Sequence, residues 1–335
     1  IAILLLSALP SVSAEPLYSI EYSRRVKPGS IYSVRFQEQW RYVYREMRVV
    51  LADSGEETLV EGRSFLLDGD GSGEEGSGED GASESNKAHA VVLMGIPSTL
   101  SAGEYELRFF GIPMGNSDEA ELIVSDTVTV AKSSFDSMNI VLKESLTDLR
   151  RSPDSKKREQ AREIHRVYGT FNRNSVYETE RWKVPLGEYK YITGSFGDRR
   201  VYEYSDGSTA QSVHNGVDLA AAVGTPVMAS AAGRVVLAED RVISGESVVI
   251  EHLPGLYSIY FHLDSLDVEE GDHVVKGERI GTVGMTGLAT GPHLHWEVRL
   301  NGEPVDPWEL TKSGIFETIS ALERPLTGPE ESEGG

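Results

Sequence analysis

Two short segments constrain this chain more than anything else in it: His214-Asn215-Gly216-Val217-Asp218 and Gly291-Pro292-His293-Leu294-His295. Each carries two side chains that bind metals at a spacing that points them the same way. In a strand, side chains alternate between faces, so His293 and His295 share one. The four-residue offset lets His214 and Asp218 converge. A fold that uses these residues must bring two distant segments side by side.

The chemistry of that set is specific. Neutral imidazole and carboxylate are the usual ligands of zinc, and three protein ligands leave a fourth position for water, the layout of a catalytic site. His214, Asp218 and His295 are the expected ligands of one Zn²⁺ per chain. With one carboxylate the site keeps a net charge of about +1, which lowers the pKa of bound water toward ~7. His293 stands beside the metal on the strand face of His295. His262, in Tyr260-Phe261-His262-Leu263, comes from another strand. These two are the expected catalytic residues, sharing the roles of general base and transition-state stabiliser, and spacing does not divide those roles between them.

Six of the eight histidines fall between His214 and His295, and the site accounts for four of them. His252 precedes Pro254-Gly255 and reads as a turn residue; His273, in a polar turn, and His89 read as solvated; and His165 reads as a solvated or packed side chain rather than a ligand. Gly216 reads as the hinge of a tight turn between two ligands, Pro292 as a stiffener of the entry to His293, and Trp296 and Val298 as core anchors facing away from the metal. Glu297 lies on the metal face, where a supporting role and a solvent-facing one are both open.

The rest of the chain predicts a mainly β protein. Short β-rich runs such as Ile31 to Phe36, Met47 to Leu51 and Tyr105 to Phe110 are punctuated by Gly and Pro, which suggests an immunoglobulin-like antiparallel β-sandwich over residues 15–135. A tract over 68–86 made mostly of Gly, Ser, Glu and Asp is expected as a mobile loop. Asp68, Asp70, Ser72, Gly73 and Glu79 within it match the spacing of a calcium loop. The flanks do not read as the two helices such a loop needs, so calcium is not expected. An apolar stripe of Ala161, Ile164 and Val167 marks a helical connector over 136–181, broken at Ser152-Pro153-Asp154. A second antiparallel β domain covers 182–312, and a flexible acidic tail is expected over 313–335.

Charge and composition narrow the partners. Acids outnumber bases 53 to 32, a net charge of -21, which argues against nucleic acid. The apolar run Ile1 to Leu6 followed by Val12-Ser13-Ala14 reads as the end of a signal peptide over 1–14 whose own start is missing, so the protein is expected to be exported to the periplasm, cell envelope or medium. No segment of the mature chain reaches transmembrane length. With no cysteine, disulfides and thiolate metal sites are excluded.

Several segments together resemble a known family. Gly194-Ser195-Phe196-Gly197-Asp198-Arg199, His214 to Asp218, Tyr260 to Leu263, Glu270-Gly271-Asp272 with Val275-Lys276-Gly277, Ile280-Gly281, and Thr286-Gly287 through Glu297 are similar to those of lysostaphin-type zinc metallopeptidases. The resemblance spans about Trp182 to Leu310. It implies an endopeptidase that cuts peptidoglycan stem or cross-bridge peptides, with zinc on the positions of His214, Asp218 and His295 and catalysis at His262 and His293. None of the five positions departs from the pattern, which argues against a catalytically silent envelope module that binds or activates another cell-wall hydrolase. The N-terminal β region weakly resembles accessory domains of such enzymes, which implies an envelope protein as a possible partner.

Overall fold

A computed structural model describes residues 2–6, 18–36, 40, 43–67, 89–115 and 118–320. The acidic tract over 68–86, the proposed cleavage site after Ala14 and residues 321–335 lie outside them.

Among the described residues nine strands build the N-terminal region: β1 (Ala2–Leu6), β2 (Tyr18–Tyr22), β3 (Arg25–Val26), β4 (Ile31–Phe36), β5 (Tyr44–Ala52), β6 (Thr58–Leu67), β7 (His89–Gly95), β8 (Gly103–Pro113) and β9 (Glu121–Val130). Their order is β1-β2-β4-β7-β6-β5-β8-β9-β3, and β6 makes it a two-layer sandwich. The first part of β6, through Arg63, pairs with β5; from Ser64 onward it pairs with β7. Gly62 sits just before this switch, where a Cβ would come within 2.5 Å of Val92 and 2.6 Å of Met94. Alternate side chains of both layers meet in one core, with Tyr22 against Phe109 at 5.1 Å. The pairing is antiparallel except at one edge, where short β3 runs parallel to β9.

The connector begins with a strand, β10 (Ser137–Val141), which the helical pattern downstream did not announce. Two helices follow, α1 (Glu144–Arg151) and α2 (Ser155–Tyr168). The Asp154 side chain caps α2 by accepting from the Lys156 amide at 2.7 Å, which explains the restart after Pro153. Ile164, Val167 and Tyr168 then pack on a small cluster around Tyr257 and Ile259.

The C-terminal region comprises β11 (Tyr191–Gly194), β12 (Arg199–Glu203), β13 (Thr209–Val213), β14 (Gly216–Ala220), β15 (Pro226–Met228), β16 (Gly233–Arg241), β17 (Gly245–Leu253), β18 (Leu256–Leu266), β19 (His273–Val274), β20 (Arg279–Val283), β21 (His293–Leu300) and β22 (Glu303–Val305). Its main sheet is antiparallel, in the order β11-β14-β21-β18-β17-β16-β19. A separate small sheet, β10-β12-β13, places the connector strand parallel to β12. Two short helices follow, α3 (Pro307–Lys312) and α4 (Ile315–Ser320). The expected flexible tail is therefore corrected at its start: Ile315 is buried in the C-terminal core, and an apolar side chain held there orders the turn around it.

The two β regions share a core. Phe65, Leu67, Val91 and Leu93 of the sandwich belong to the same buried cluster as Val298, Leu300 and Val305. Polar bonds frame the seam: Asn301 Nδ2 donates to the Leu93 carbonyl at 3.0 Å, and Arg199 Nη2 to the Ser98 carbonyl at 2.8 Å.

Candidate active site

The site is built on the β14–β21 pair. Antiparallel register sets Asp218 directly opposite His295 and Ala220 opposite His293, so one face of the ladder presents Asp218, His293 and His295 together. The other face carries Val217, Leu219, Leu294 and Trp296 into the core. Gly216 pairs with Glu297, and a Cβ on it would lie 2.4 Å from the Trp296 carbonyl. The glycine thus serves close approach of the two strands that carry Asp218 and His295 rather than a tight turn. His214 enters from the end of the β12–β13 hairpin, its amide donating to the Asp198 carbonyl at 2.9 Å.

Three atoms converge. Asp218 Oδ1 is 2.8 Å from His295 Nδ1 and 3.1 Å from His214 Nε2, and the two nitrogens are 3.0 Å apart. Each ring's other nitrogen is already committed. His214 Nδ1 meets the Ser195 carbonyl at 2.8 Å, and His295 Nε2 meets the Glu297 carboxylate at 3.2 Å. Both oxygens accept, so those nitrogens carry the ring protons. That leaves two imidazole lone pairs and a carboxylate oxygen aimed at one point. Such a set suits a cation, and the outer oxygens orient the rings as they do around bound metals. His214, Asp218 and His295 form the group found among the described residues that could hold a metal ion, and all three are buried.

The charges agree with this reading. Burial works to raise the Asp218 pKa, but its contacts with His214 and His295 outweigh it and hold the carboxylate well below its ordinary range. Burial likewise works against a proton on His295, yet the Asp218 and Glu297 carboxylates overcome it and raise the ring to about 9. In the metal-free site a proton stands where a cation would. His214 is lowered, chiefly by burial.

His262 and His293 form the opposite wall, with ring centroids 4.9 Å apart. His293 Nε2 is 3.7 Å from Asp218 Oδ1, and its Nδ1 meets the Gly291 carbonyl at 2.8 Å. His262 reaches the site by an irregularity. Phe261 pairs with His295, so regular alternation would turn the next side chain to the other face. His262 instead takes a left-handed φ of 62°, and Phe261 and His262 both line the same cavity. Its amide donates to the Ser244 carbonyl at 2.8 Å and its Nδ1 meets the Thr286 carbonyl at 2.8 Å. Burial, with His293 and His295 adding, lowers its pKa to about 3, so the ring is neutral.

The cavity these residues share is about 490 Å³. Arg200 lines it and donates to Asp218 Oδ2 at 2.5 Å. Nothing in the sequence pattern singles out Arg200, because its role depends on the β12–β13 hairpin folding back beside β14. Glu297 resolves as a supporting residue, held in turn by Arg299 at 2.5 Å. His252 is corrected: it is fully buried in β17, with Nδ1 on the Ala232 carbonyl at 2.7 Å and Trp182 against its ring at 4.5 Å. Packing there, and burial that lowers its pKa to about 4, make it a neutral core residue. His165 and His273 are exposed, and of His89 the structure describes the strand position alone.

Residues 212–307, which hold all five site residues, match the profile of peptidase family M23. This segment is similar to peptidase family M23. Among curated M23-like relatives, the DD-carboxypeptidase/endopeptidase Mpg of Neisseria meningitidis serogroup B is 47% identical over 95 residues, 28% of this chain and 22% of that protein. The peptidoglycan DD-endopeptidase ShyA of Vibrio cholerae is 37% identical over 124 residues, 37% of this chain and 28% of that protein. The match thus spans less than a third of these relatives. Among solved structures, the catalytic domain of lysostaphin from Staphylococcus simulans is 31% identical, over 37% of this chain and 93% of that one, with a TM-score of 0.33.

Proposed function

We propose that this protein is a zinc-dependent endopeptidase that hydrolyses peptide bonds in peptidoglycan stem or cross-bridge peptides outside the cytoplasm. The observation that carries the reading is the convergence of His214 Nε2, Asp218 Oδ1 and His295 Nδ1 at 2.8–3.1 Å, with two further histidines facing the same cavity. The endopeptidase assignment is supported by the activities named for Mpg and ShyA, and the peptidoglycan assignment by that named for ShyA. Export is supported by the apolar Ile1 to Leu6 and the small residues that follow.

Two imidazoles and one carboxylate suit zinc better than the oxygen-seeking magnesium or calcium. A zinc ion held by these three residues supplies the charge that polarises the scissile carbonyl and acidifies a water. The protein's own groups do the rest. In hydrolysis the attacking water would give up a proton, which the His262–His293 wall would pass to the amine that leaves as the peptide bond breaks. His293 is the first acceptor of that proton, because its Nε2 approaches the ligand oxygen of Asp218 and its Nδ1 is anchored on the Gly291 carbonyl. His262, neutral and anchored on the Thr286 carbonyl, flanks that ring. Arg200 offsets the second oxygen of Asp218 and keeps the carboxylate turned toward the histidines.

Mass spectrometry of peptidoglycan incubated with the protein tests the reading. New amino termini are expected, lost with a chelator and restored by zinc. Intact peptidoglycan with fully zinc-loaded protein would sink it.

A further inference from the structure

One wall of the cavity comes from outside the 212–307 segment. Met138 and Ile140 of β10, Arg150 of α1 and Tyr202 of β12 line it. Helix α1 is pinned there. The Thr147 hydroxyl accepts from the Ser205 amide at 3.1 Å, and Arg151 pairs with Asp206. The Arg150 guanidinium lies over the Tyr202 ring at 4.0 Å, and its Nε donates to the Tyr204 hydroxyl at 3.1 Å.

Arg150 differs from every other charged group in the cavity. Arg200 is neutralised by Asp218, and Glu297 by Arg299. Among the described residues Arg150 has an aromatic face and a hydroxyl as partners and no carboxylate in ion-pair contact. In a chain with 53 acids to 32 bases, an arginine held rigidly in a cleft without an acid beside it is poised for an outside anion. Stacking and the Nε bond fix the guanidinium plane and leave its terminal nitrogens as a two-pronged donor, the geometry that suits a carboxylate. Met138 and Ile140 add an apolar strip for the alkyl part of the same ligand.

We infer that Arg150 is a specificity-determining residue that binds a free carboxylate of the substrate peptide. The inference rests on the endopeptidase reading for the identity of that peptide, and it places selectivity in the connector rather than in the family segment. A stem peptide with a free carboxyl would offer such a group, and amidation would remove it.

Calorimetric titration of the zinc-loaded protein with a synthetic stem peptide, and with the same peptide amidated at every carboxyl, tests it. The wild type is expected to bind the acid about 10-fold or more tightly than the amide, the scale of one charge-assisted bond. R150Q is expected to bind both alike, at the affinity of the amide, and R150K to fall between. Zinc content and melting temperature of the variants confirm that they fold. A wild type that binds both peptides alike or neither, or an R150Q variant that keeps the full preference, overturns the assignment. Cleavage followed in the same samples separates the two readings: preference without cleavage removes the endopeptidase function and leaves Arg150 as a carboxylate-binding residue.

Discussion

Asp218 and His295 face each other across the β14–β21 pair, with Oδ1 and Nδ1 2.8 Å apart, while His293 two residues earlier on the same strand stands 3.7 Å from that oxygen. Under the proposed function the difference separates ligand from proton carrier. His295→Ala is expected to lose both zinc and activity. His293→Ala is expected to keep one zinc per chain and lose about 10²-fold or more in kcat, the usual scale of general acid–base catalysis. Metal analysis beside peptidoglycan digestion checks this, and equal zinc loss in the two variants would contradict it.

Glu297 acts through His295. Its carboxylate accepts from Nε2 and so keeps the Nδ1 lone pair toward the metal position. Glu297→Gln preserves shape and removes the charge. Zinc affinity is expected to fall about 10- to 100-fold, as for other residues that orient a metal-binding histidine. Competition with a chromogenic chelator measures it, and unchanged affinity would show that the contact is incidental.

Metal and proton compete at His295. Without metal, the folded protein raises this ring to about 9 against an ordinary value near 6.5. A proton bound more tightly in the folded state stabilises it. That contribution is complete below about pH 6.5, where both states are protonated, and is lost as pH rises through about 9. The melting temperature of the metal-free protein is therefore expected to fall over that window. The zinc-loaded protein should lack this component, because the metal occupies Nδ1. Parallel pH profiles of the two forms decide the point.

Glu303 lies in β22, near the seam between the two β regions, where a Cβ on Gly95 would come 3.1 Å from its own Cβ. Burial raises its carboxyl to about 7, with Arg299 opposing. The folded state holds this proton more tightly, so its stabilising effect is present below about pH 4.5 and gone above about pH 7. Glu303→Gln should match the wild type near pH 4 and exceed it at pH 8 by on the order of 1–3 kcal/mol. Urea unfolding at the two pH values measures this, and equal stability at pH 8 would refute it.

Local chemistry made much of this protein legible. Alternation along Gly291 to Trp296 put His293 and His295 on one face and Trp296 in the core, and the β21 register agrees. Glycine-punctuated β runs marked two sheet-rich regions, and the Pro153-Asp154 break marked the start of α2. Residues that act through non-local neighbours were hidden. Arg200 matters because a hairpin returns it to Asp218, and His252 is a core residue because Trp182 arrives from another segment.

The sequence alone determined which atoms are available to hold a metal and which faces of the strands carry them, because side-chain chemistry and two-residue periodicity are local properties. The tertiary structure decided what those atoms meet. Strand register brought Asp218 to His295, a left-handed backbone angle turned His262 into the cavity against the alternation of its strand, and β10 with α1 added the wall that carries Arg150. Each depends on contacts between segments far apart in the chain, whose geometry is set by packing and backbone irregularity that no local pattern encodes.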